Sequence, residues 1–264
     1  MEIAVIKVGG AVVEDEKSLS ALLDSFVGIK TPKVLVHGGG RTASKISKSL
    51  GIEPQMIDGR RVTDADTIGV VTMVYAGLVG KNIAAKLQAR GCNAISLSGA
   101  DMNVICSAKR PPIKVASGET VDFGFVGDVK SVDADMLISL ISAGVTPVIC
   151  PITHDGQGNL LNTNADTIAT QVAIALAVRS ADDTVRLTYC FEKAGVLRDA
   201  DDDASVIGTM THAEFKALQA DGTVSAGMIP KLDNGFEALR SGVSAVRITN
   251  TDGLSTLTGT NLAL

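Results

Sequence analysis

The chain reads as an α/β protein, a three-layer αβα sandwich around a mainly parallel open sheet. Three observations predict this. Short β-branched runs alternate with longer stretches in helical period. Runs such as Val34-Leu35-Val36-His37 and Pro147-Val148-Ile149-Cys150 are near-continuously apolar, as strands covered on both faces are. The 264 residues, 45% hydrophobic and 20% charged, have ordinary globular composition and suffice for one large domain or two small ones.

The first strand is expected at residues 3–8, where an apolar run stops at Gly9-Gly10. A helix follows at 19–27, then a strand at 33–37 that runs into Gly38-Gly39-Gly40 and a helix at 42–50. The longest helix is expected at 64–90. Thr63 with Asp66 makes a capping-box-like start, and Ile68, Val71, Val74, Leu78 and Leu87 recur at helical spacing. Ala76, Gly77 and Gly80 keep part of its surface small, which suits a subunit interface. Strands at 94–98 and 146–150 flank a helix at 134–142. Residues 111–130, rich in Gly and β-formers, break the alternation and read as an inserted hairpin. Asn164 caps a helix at 165–178, followed by a strand at 185–189 and an acidic, solvated excursion at 198–204. Helices at 213–219 and 229–240 and a strand at 245–249 complete the pattern. Composition places a boundary near residue 175, giving parts 1–175 and 176–264 that share one continuous sheet.

The charge sum, 24 − 29 = −5, disfavours nucleic acid and anionic membranes as partners. Aromatics are 3% with no Trp, so stacking platforms for single strands are not expected. No apolar run approaches a membrane span, and the first residues read as a strand without signal-peptide anatomy, so a cytoplasmic protein is expected. Cys92, Cys106, Cys150 and Cys190 stand alone, without the spacing of a metal site. They read as small hydrophobes in a reducing compartment.

Five stretches could carry chemistry. Lys7-Val8-Gly9-Gly10 ends the first strand, where open α/β sheets bind ligands, and a lysine there suits phosphate charge. His37-Gly38-Gly39-Gly40 leaves backbone N–H groups free at a helix N-terminus. It also fits a dinucleotide fingerprint loosely, with Asp58 about 20 residues on, but lacks the ending of a P-loop. His37 itself reads as a loop anchor. Gly59-Arg60-Arg61-Val62-Thr63 offers an arginine for a carboxylate. Asn162-Thr163-Asn164-Ala165-Asp166 crowds polar groups at a helix start, where the cap explains Asn164 and leaves Asn162 unexplained. Gly227-Met228-Ile229-Pro230-Lys231 puts a lysine in a first helical turn, where it opposes the macrodipole and hints at a bound anion.

Together and in this order, K-x-G-G, H-G-G-G, R-V-T, N-x-N-A-D and G-M-x-x-K resemble the amino-acid kinase family over nearly the whole chain. Aspartate kinases and uridylate kinases, its sister branches, differ after the first lysine. The resemblance implies ATP-dependent phosphorylation of the side-chain carboxylate of N-acetyl-L-glutamate, a step of arginine biosynthesis. It implies that residues 1–175 bind the N-acylglutamate and make a homodimer, and that 176–264 bind nucleotide. By position, it has Lys7 and Lys231 contact the transferring phosphoryl and nucleotide, and Asp166 hold the two lysines. Gly9 and Gly10 then contact the nucleotide, while Gly39, Gly40, Arg61 and Asn162 contact the acceptor. Mg²⁺ is expected through ATP phosphates and water, with no protein metal site.

One stretch departs from the family pattern. Its usual T-D-V-x-G-V reads here Thr188-Tyr189-Cys190-Phe191-Glu192-Lys193-Ala194-Gly195-Val196, without the acid after Thr. A similar variant is associated with a branch in which the acyl group is succinyl, so N-succinyl-L-glutamate is the alternative acceptor. Arginine-inhibited members carry an extra N-terminal helix, and a start at the first strand leads to the expectation of a plain homodimer without arginine feedback. Two readings lie outside this class. A nicotinamide-dependent oxidoreductase would use the glycine loop and leave Lys7, Arg61, Asp166 and Lys231 without roles. A non-catalytic amino-acid sensor on a kinase fold would be expected to have lost at least one of Lys7, Lys231 and Asp166.

Overall fold

A computed structural model describes residues 1–179, 183–224 and 227–264. The chain opens with β1 (Glu2–Val8), α1 (Gly10–Glu14), α2 (Glu16–Gly28), β2 (Lys33–His37) and α3 (Gly40–Ser49). A short hairpin, β3 (Met56–Ile57) and β4 (Arg60–Arg61), precedes a long helix. That helix comprises α4 (Ala65–Thr72), a π-helical segment Met73–Val79 and α5 (Gly80–Gln88). Then come β5 (Ala94–Leu97), β6 (Ile105–Lys109), β7 (Ile113–Lys114), β8 (Thr120–Val121), β9 (Gly127–Val132), α6 (Ala134–Ser142) and β10 (Thr146–Ile149). β11 (Ile152–His154), β12 (Leu160–Asn162), α7 (Ala165–Arg179) and β13 (Thr184–Cys190) follow. The chain closes with β14 (Thr209–Thr211), α8 (His212–Ala220), α9 (Ile229–Arg240), β15 (Ala245–Thr249), α10 (Thr251–Thr256) and β16 (Thr260–Ala263).

Eight strands form the central sheet in the order β14-β16-β15-β13-β1-β2-β10-β5. All its pairings are parallel except β15 with β16. The early strands thus occupy one side and the late strands the other, joined through β1 and β13 in full register from Glu2↔Thr184 to Val8↔Cys190. Residue 175 falls inside α7. A second sheet, β12-β11-β6-β9, and the hairpins β3–β4 and β7–β8 lie outside the main sheet. The expected insertion at 111–130 is therefore the β7–β8 hairpin plus the start of β9.

Side chains alternate across the sheet with period 2. Ile3 and Val5 of β1 join a core with Ile168, Val172, Leu176 and Phe236, under α7 and α9. Ile6 and Val8 face the opposite core, with Leu22, Phe26, Val71 and Ile83 from α2, α4 and α5. The sandwich is thus three layers. The same alternation turns Lys7, two residues after Val5, toward α7.

The long helix differs from expectation in two respects. Its N-cap is Asp64, whose carboxylate accepts from Thr67 N at 2.8 Å; Thr63 instead accepts a hydrogen bond from Asn162 Nδ2 at 3.1 Å. One position later, the acid reaches the third helical N–H, and Thr63 is left for a tertiary contact. The helix also has the length and apolarity of a membrane span: 24 residues, with mean hydropathy 1.5 over its most apolar window. Val70, Val71, Val74, Val79, Ile83 and Leu87 bury one side of it in the sheet's core.

Gly124 ties the insertion to this helix. Its φ is 73°, and a Cβ there would lie 2.2 Å from the carbonyl oxygen of Thr63, which accepts from Phe125 N. Gly124→Ala is expected to cost about 2–3 kcal/mol through left-handed strain and overpacking against backbone. A urea midpoint equal to wild type would contradict this.

Candidate active site

The C-terminal ends of β1 and β2 open onto a cleft of about 540 Å³. Lys7, Gly9, Gly10, Gly40, Ser44 and Arg61 line it from the early elements, and Phe191, Glu192, Gly227, Met228 and Lys231 from the late ones. Ligands in open α/β sheets sit here, beyond the carboxyl ends of strands where connections diverge to either side.

At the cleft's inner end, one carboxylate serves two ammonium groups. Lys7 Nζ lies 2.7 Å from Asp166 Oδ1, off the line of a good hydrogen bond, and Lys231 Nζ donates to Oδ2 at 2.8 Å. Local sequence explains each placement. Strand alternation aims Lys7 at α7. Asn164 caps α7, accepting from Asp166 N at 2.7 Å and Thr167 N at 3.3 Å, so Asp166 sits in its first turn. α9 carries Pro230 as its second residue and presents Lys231 from its first turn. Lys7 and Asp166 side chains are each 8% exposed and Lys231 20%.

Burial works to raise the Asp166 pKa. The charge of Lys7, then that of Lys231, and the Lys231 hydrogen bond outweigh it, holding the carboxyl below its ordinary range. It is ionised at neutral pH, and the triad carries one net positive charge. Lys231 opposes the α9 macrodipole, as the sequence implied, but the anion offsetting it is the chain's own Asp166. α9 starts at the cleft without a side-chain N-cap or an acid in its first turn, adding partial positive charge, whereas the first turn of α3 is held by Glu14, whose carboxylate accepts from Thr42 N at 2.7 Å.

Arg61 is 9% exposed, and its Nη2 donates to Gly40 O at 2.9 Å and Ser44 Oγ at 2.8 Å. Its Nη1 is buried with no partner among the described residues. His37 is buried and its Nδ1 donates to Gly38 O at 2.8 Å, which clamps the glycine loop. Burial lowers its pKa to about 4 against that hydrogen bond, so the ring is neutral at pH 7. Gly9 N donates to Cys190 O at 2.8 Å, and a Cβ on Gly9 would lie 3.3 Å from Phe191 Cβ.

Three of the sequence-derived residues lie beside the cleft rather than in its lining. Asn162 ends β12 and holds Thr63, Gly39 backs onto the long helix, and Asp166 acts through the lysines. Asp58 occupies the β3–β4 turn at φ 47° and accepts from Ala116 N at 2.8 Å, away from the glycine loop, as a dinucleotide acid would not. In the divergent 188–196 stretch, Tyr189 is buried with its hydroxyl 2.6 Å from Thr170 Oγ1, and Lys193 pairs with Asp203 at 2.7 Å. Phe191 and Glu192 reach the cleft, and Glu192 lies 3.7 Å from Arg41 across it. Sequence reasoning missed Ser44, Arg41 and Phe191, which carry no motif. Only the meeting of α3 with β13 across the cleft marks them. Among the described residues, no group of three His, Cys, Asp or Glu side chains could hold a metal ion.

The model of the amino acid kinase family matches residues 2–250. The acetylglutamate kinase of Bacteroides thetaiotaomicron is 58% identical over 261 residues, covering 99% of this chain and 98% of that protein. The acetylglutamate kinase of Methanopyrus kandleri is 42% identical over 250 residues, covering 95% and 96%. Among solved structures, N-acetylglutamate synthase from Neisseria gonorrhoeae, complexed with coenzyme A and N-acetyl-glutamate, superposes with a TM-score of 0.80 at 22% identity. The match covers 99% of this chain and 59% of that one, a likeness of fold. Giardia carbamate kinase superposes at 0.66 with 16% identity, covering 98% of both chains.

Proposed function

The chain belongs to the amino acid kinase family, and from that premise we propose how its cleft works. The protein is a phosphotransferase that moves the γ-phosphoryl of ATP to the side-chain carboxylate of N-acetyl-L-glutamate, in arginine biosynthesis. The observation that carries the mechanism is the Lys7–Asp166–Lys231 arrangement at the cleft's inner end.

The acceptor carboxylate is ionised at pH 7, so the reaction needs no general base. It needs alignment and neutralisation of charge on the transferring group. Lys7 and Lys231 supply that charge from opposite sides of the cleft. Asp166 touches neither substrate; it is a positioning residue that fixes both ammonium groups and offsets part of their repulsion. Gly9 and Gly10 let the nucleotide's phosphates approach the backbone. Arg61, with Gly40 and Asn162 around it and Gly39 behind, receives the acceptor's α-carboxylate and α-substituent. Residues 1–175 hold the acceptor and 176–264 the nucleotide. Mg²⁺ fits as an ion carried by ATP phosphates and water, since Asp166 is engaged by lysines and Glu192 is the cleft's other carboxylate. It would supply charge neutralisation on those phosphates. A homodimer through the exposed side of the long helix, where Met73 and Leu78 are 57% and 46% exposed, completes the reading.

The test is an ATP-dependent hydroxamate assay that traps the acyl phosphate, with N-acetyl- and N-succinyl-L-glutamate side by side. Hydroxamate from the acetyl substrate supports the reading, and from succinyl alone changes the acyl group. Nucleotide binding with no hydroxamate from either favours the sensor alternative.

A further inference from the structure

Seven residues of the long helix, Met73–Val79, are π-helical, lying between α4 and α5. Such segments are rare and concentrate at functional sites, because the wider turn shifts side chains out of α-helical register. The side chain delivered here is Tyr75, 5% exposed. Its ring occupies the space beside Gly39. A Cβ on that glycine would lie 3.1 Å from Tyr75 Cδ1 and 3.3 Å from Cε1. Its hydroxyl converges with Arg61 on the next residue, since a Cβ on Gly40 would lie 3.9 Å from Tyr75 Oη and 4.0 Å from Arg61 Nη2.

One buried donor is left over at this point, beside a phenol that Arg61 itself hydrogen-bonds. Arg61 Nη2 is committed to Gly40 O and Ser44 Oγ, but the buried Nη1 has no partner among the described residues. Burial raises the Tyr75 phenol pKa, and the Arg61 charge and then its hydrogen bond to the phenol oxygen oppose this without reversing it, so the phenol keeps its proton at neutral pH. A guanidinium has no acceptor to offer, so the phenol hydrogen must go elsewhere. Tyr75 lies behind the glycine loop rather than in the cleft's lining, and an ionised carboxylate seated against Arg61 and Gly40 would take both hydrogens.

We propose that Tyr75 is a specificity-determining residue for the acceptor, its hydroxyl donating, beside Arg61 Nη1, to the α-carboxylate of the N-acylglutamate. This rests on the reading of Arg61 as the acceptor's carboxylate site. The π-helical segment, the glycine loop and the bound acceptor then form one unit. The ring sets the position of Gly39, and the hydroxyl reads the ligand.

Tyr75→Phe keeps the ring against Gly39 and removes the hydroxyl. It is expected to raise the acceptor KM about tenfold, with kcat falling less than that and the ATP KM within about twofold. The same comparison is made with the α-carboxamide of N-acetylglutamate, in which the α-carboxylate is replaced by a neutral amide and the side-chain carboxylate remains. There the variant should lose only about threefold relative to wild type, because the bond it removes goes to a neutral amide oxygen and has lost its charge assistance. An unchanged acceptor KM, or an equal loss with carboxylate and carboxamide, overturns the proposal. Should wild type phosphorylate neither acyl substrate, the activity reading fails by itself. Calorimetric binding of N-acetylglutamate to the two proteins then tests Tyr75 by the same Kd ratio.

Discussion

Lys7→Met is expected to lower turnover about 100- to 1,000-fold with both substrates saturating, the scale seen when one preorganised group is taken from a developing charge. Methionine follows the lysine stem in length and shape, so packing under α7 is retained. Asp166 keeps Lys231 at 2.8 Å, so no buried carboxylate is orphaned. The thermal midpoint should therefore stay within a few degrees of wild type. Activity loss without stability loss would separate a charge acting on the phosphoryl from one acting on the fold. Near-wild-type turnover would remove Lys7 from the mechanism.

Asp166→Asn should do the reverse in stability and still reduce turnover. It leaves two largely buried ammonium groups facing an uncharged amide. Removing one partner of a buried ionic cluster costs about 3–5 kcal/mol, which for a chain of this size lowers the midpoint by about 10 °C. Turnover should fall about 100-fold, because the lysines are no longer held at the phosphoryl. The pH dependence has a definite sign. The Asp166 carboxyl titrates below its ordinary value of 3.8 in the folded protein, so its contribution is fully present above that value. It is lost as pH falls through the lower folded value. The gap in thermal midpoint between wild type and variant should thus be wide at pH 7 and shrink toward pH 3. A gap that widens on acidification would contradict the charge assignment. Between pH 6 and 8 both proteins should show flat kcat profiles, since no base is required. A wild-type limb near the carboxyl range that the variant lacks would make Asp166 a base instead.

Much of the architecture was legible along the chain. β2, α6, α9 and β15 begin and end where the patterns at 33–37, 134–142, 229–240 and 245–249 place them. The other predicted strands and helices differ mostly by a few residues at their ends. The two-residue strands β3, β4, β7 and β8, and a helix as short as the five-residue α1, are too short to show a period. In the second sheet, β11 and β12 were missed for a related reason, because they are three residues each and are recognised by their partners; β6 was missed as well, and β9 was read only in part, as the end of the 111–130 insertion. The Thr63 cap was misplaced by one residue because Thr63 and Asp64 are both competent caps, and the contact with Asn162 decided between them.

At the site, the lysines, the glycine runs and Asp166 were visible because their residue types and places within elements are local facts. Glycines follow strands, an acid follows a cap, and a lysine sits after Pro230. What joins them is not local. Lys7 and Asp166 are far apart in sequence, and Lys231 lies 65 residues beyond Asp166. Their meeting depends on β1 lying between β2 and β13 and on α7 and α9 sharing one face. Tyr75 shows the same limit from the other side. Alone it reads as one more core residue of an apolar helix. Only the π-helical wind, the missing Cβ of Gly39 and the unpartnered Arg61 Nη1 turn it toward the acceptor. The α/β class, the order of most elements and the residues able to handle phosphate are written along the chain, because periodicity and turn chemistry act between near neighbours. The tertiary structure decided which of those residues meet, because burial and charge pairing act across the sheet between segments that the chain order keeps apart.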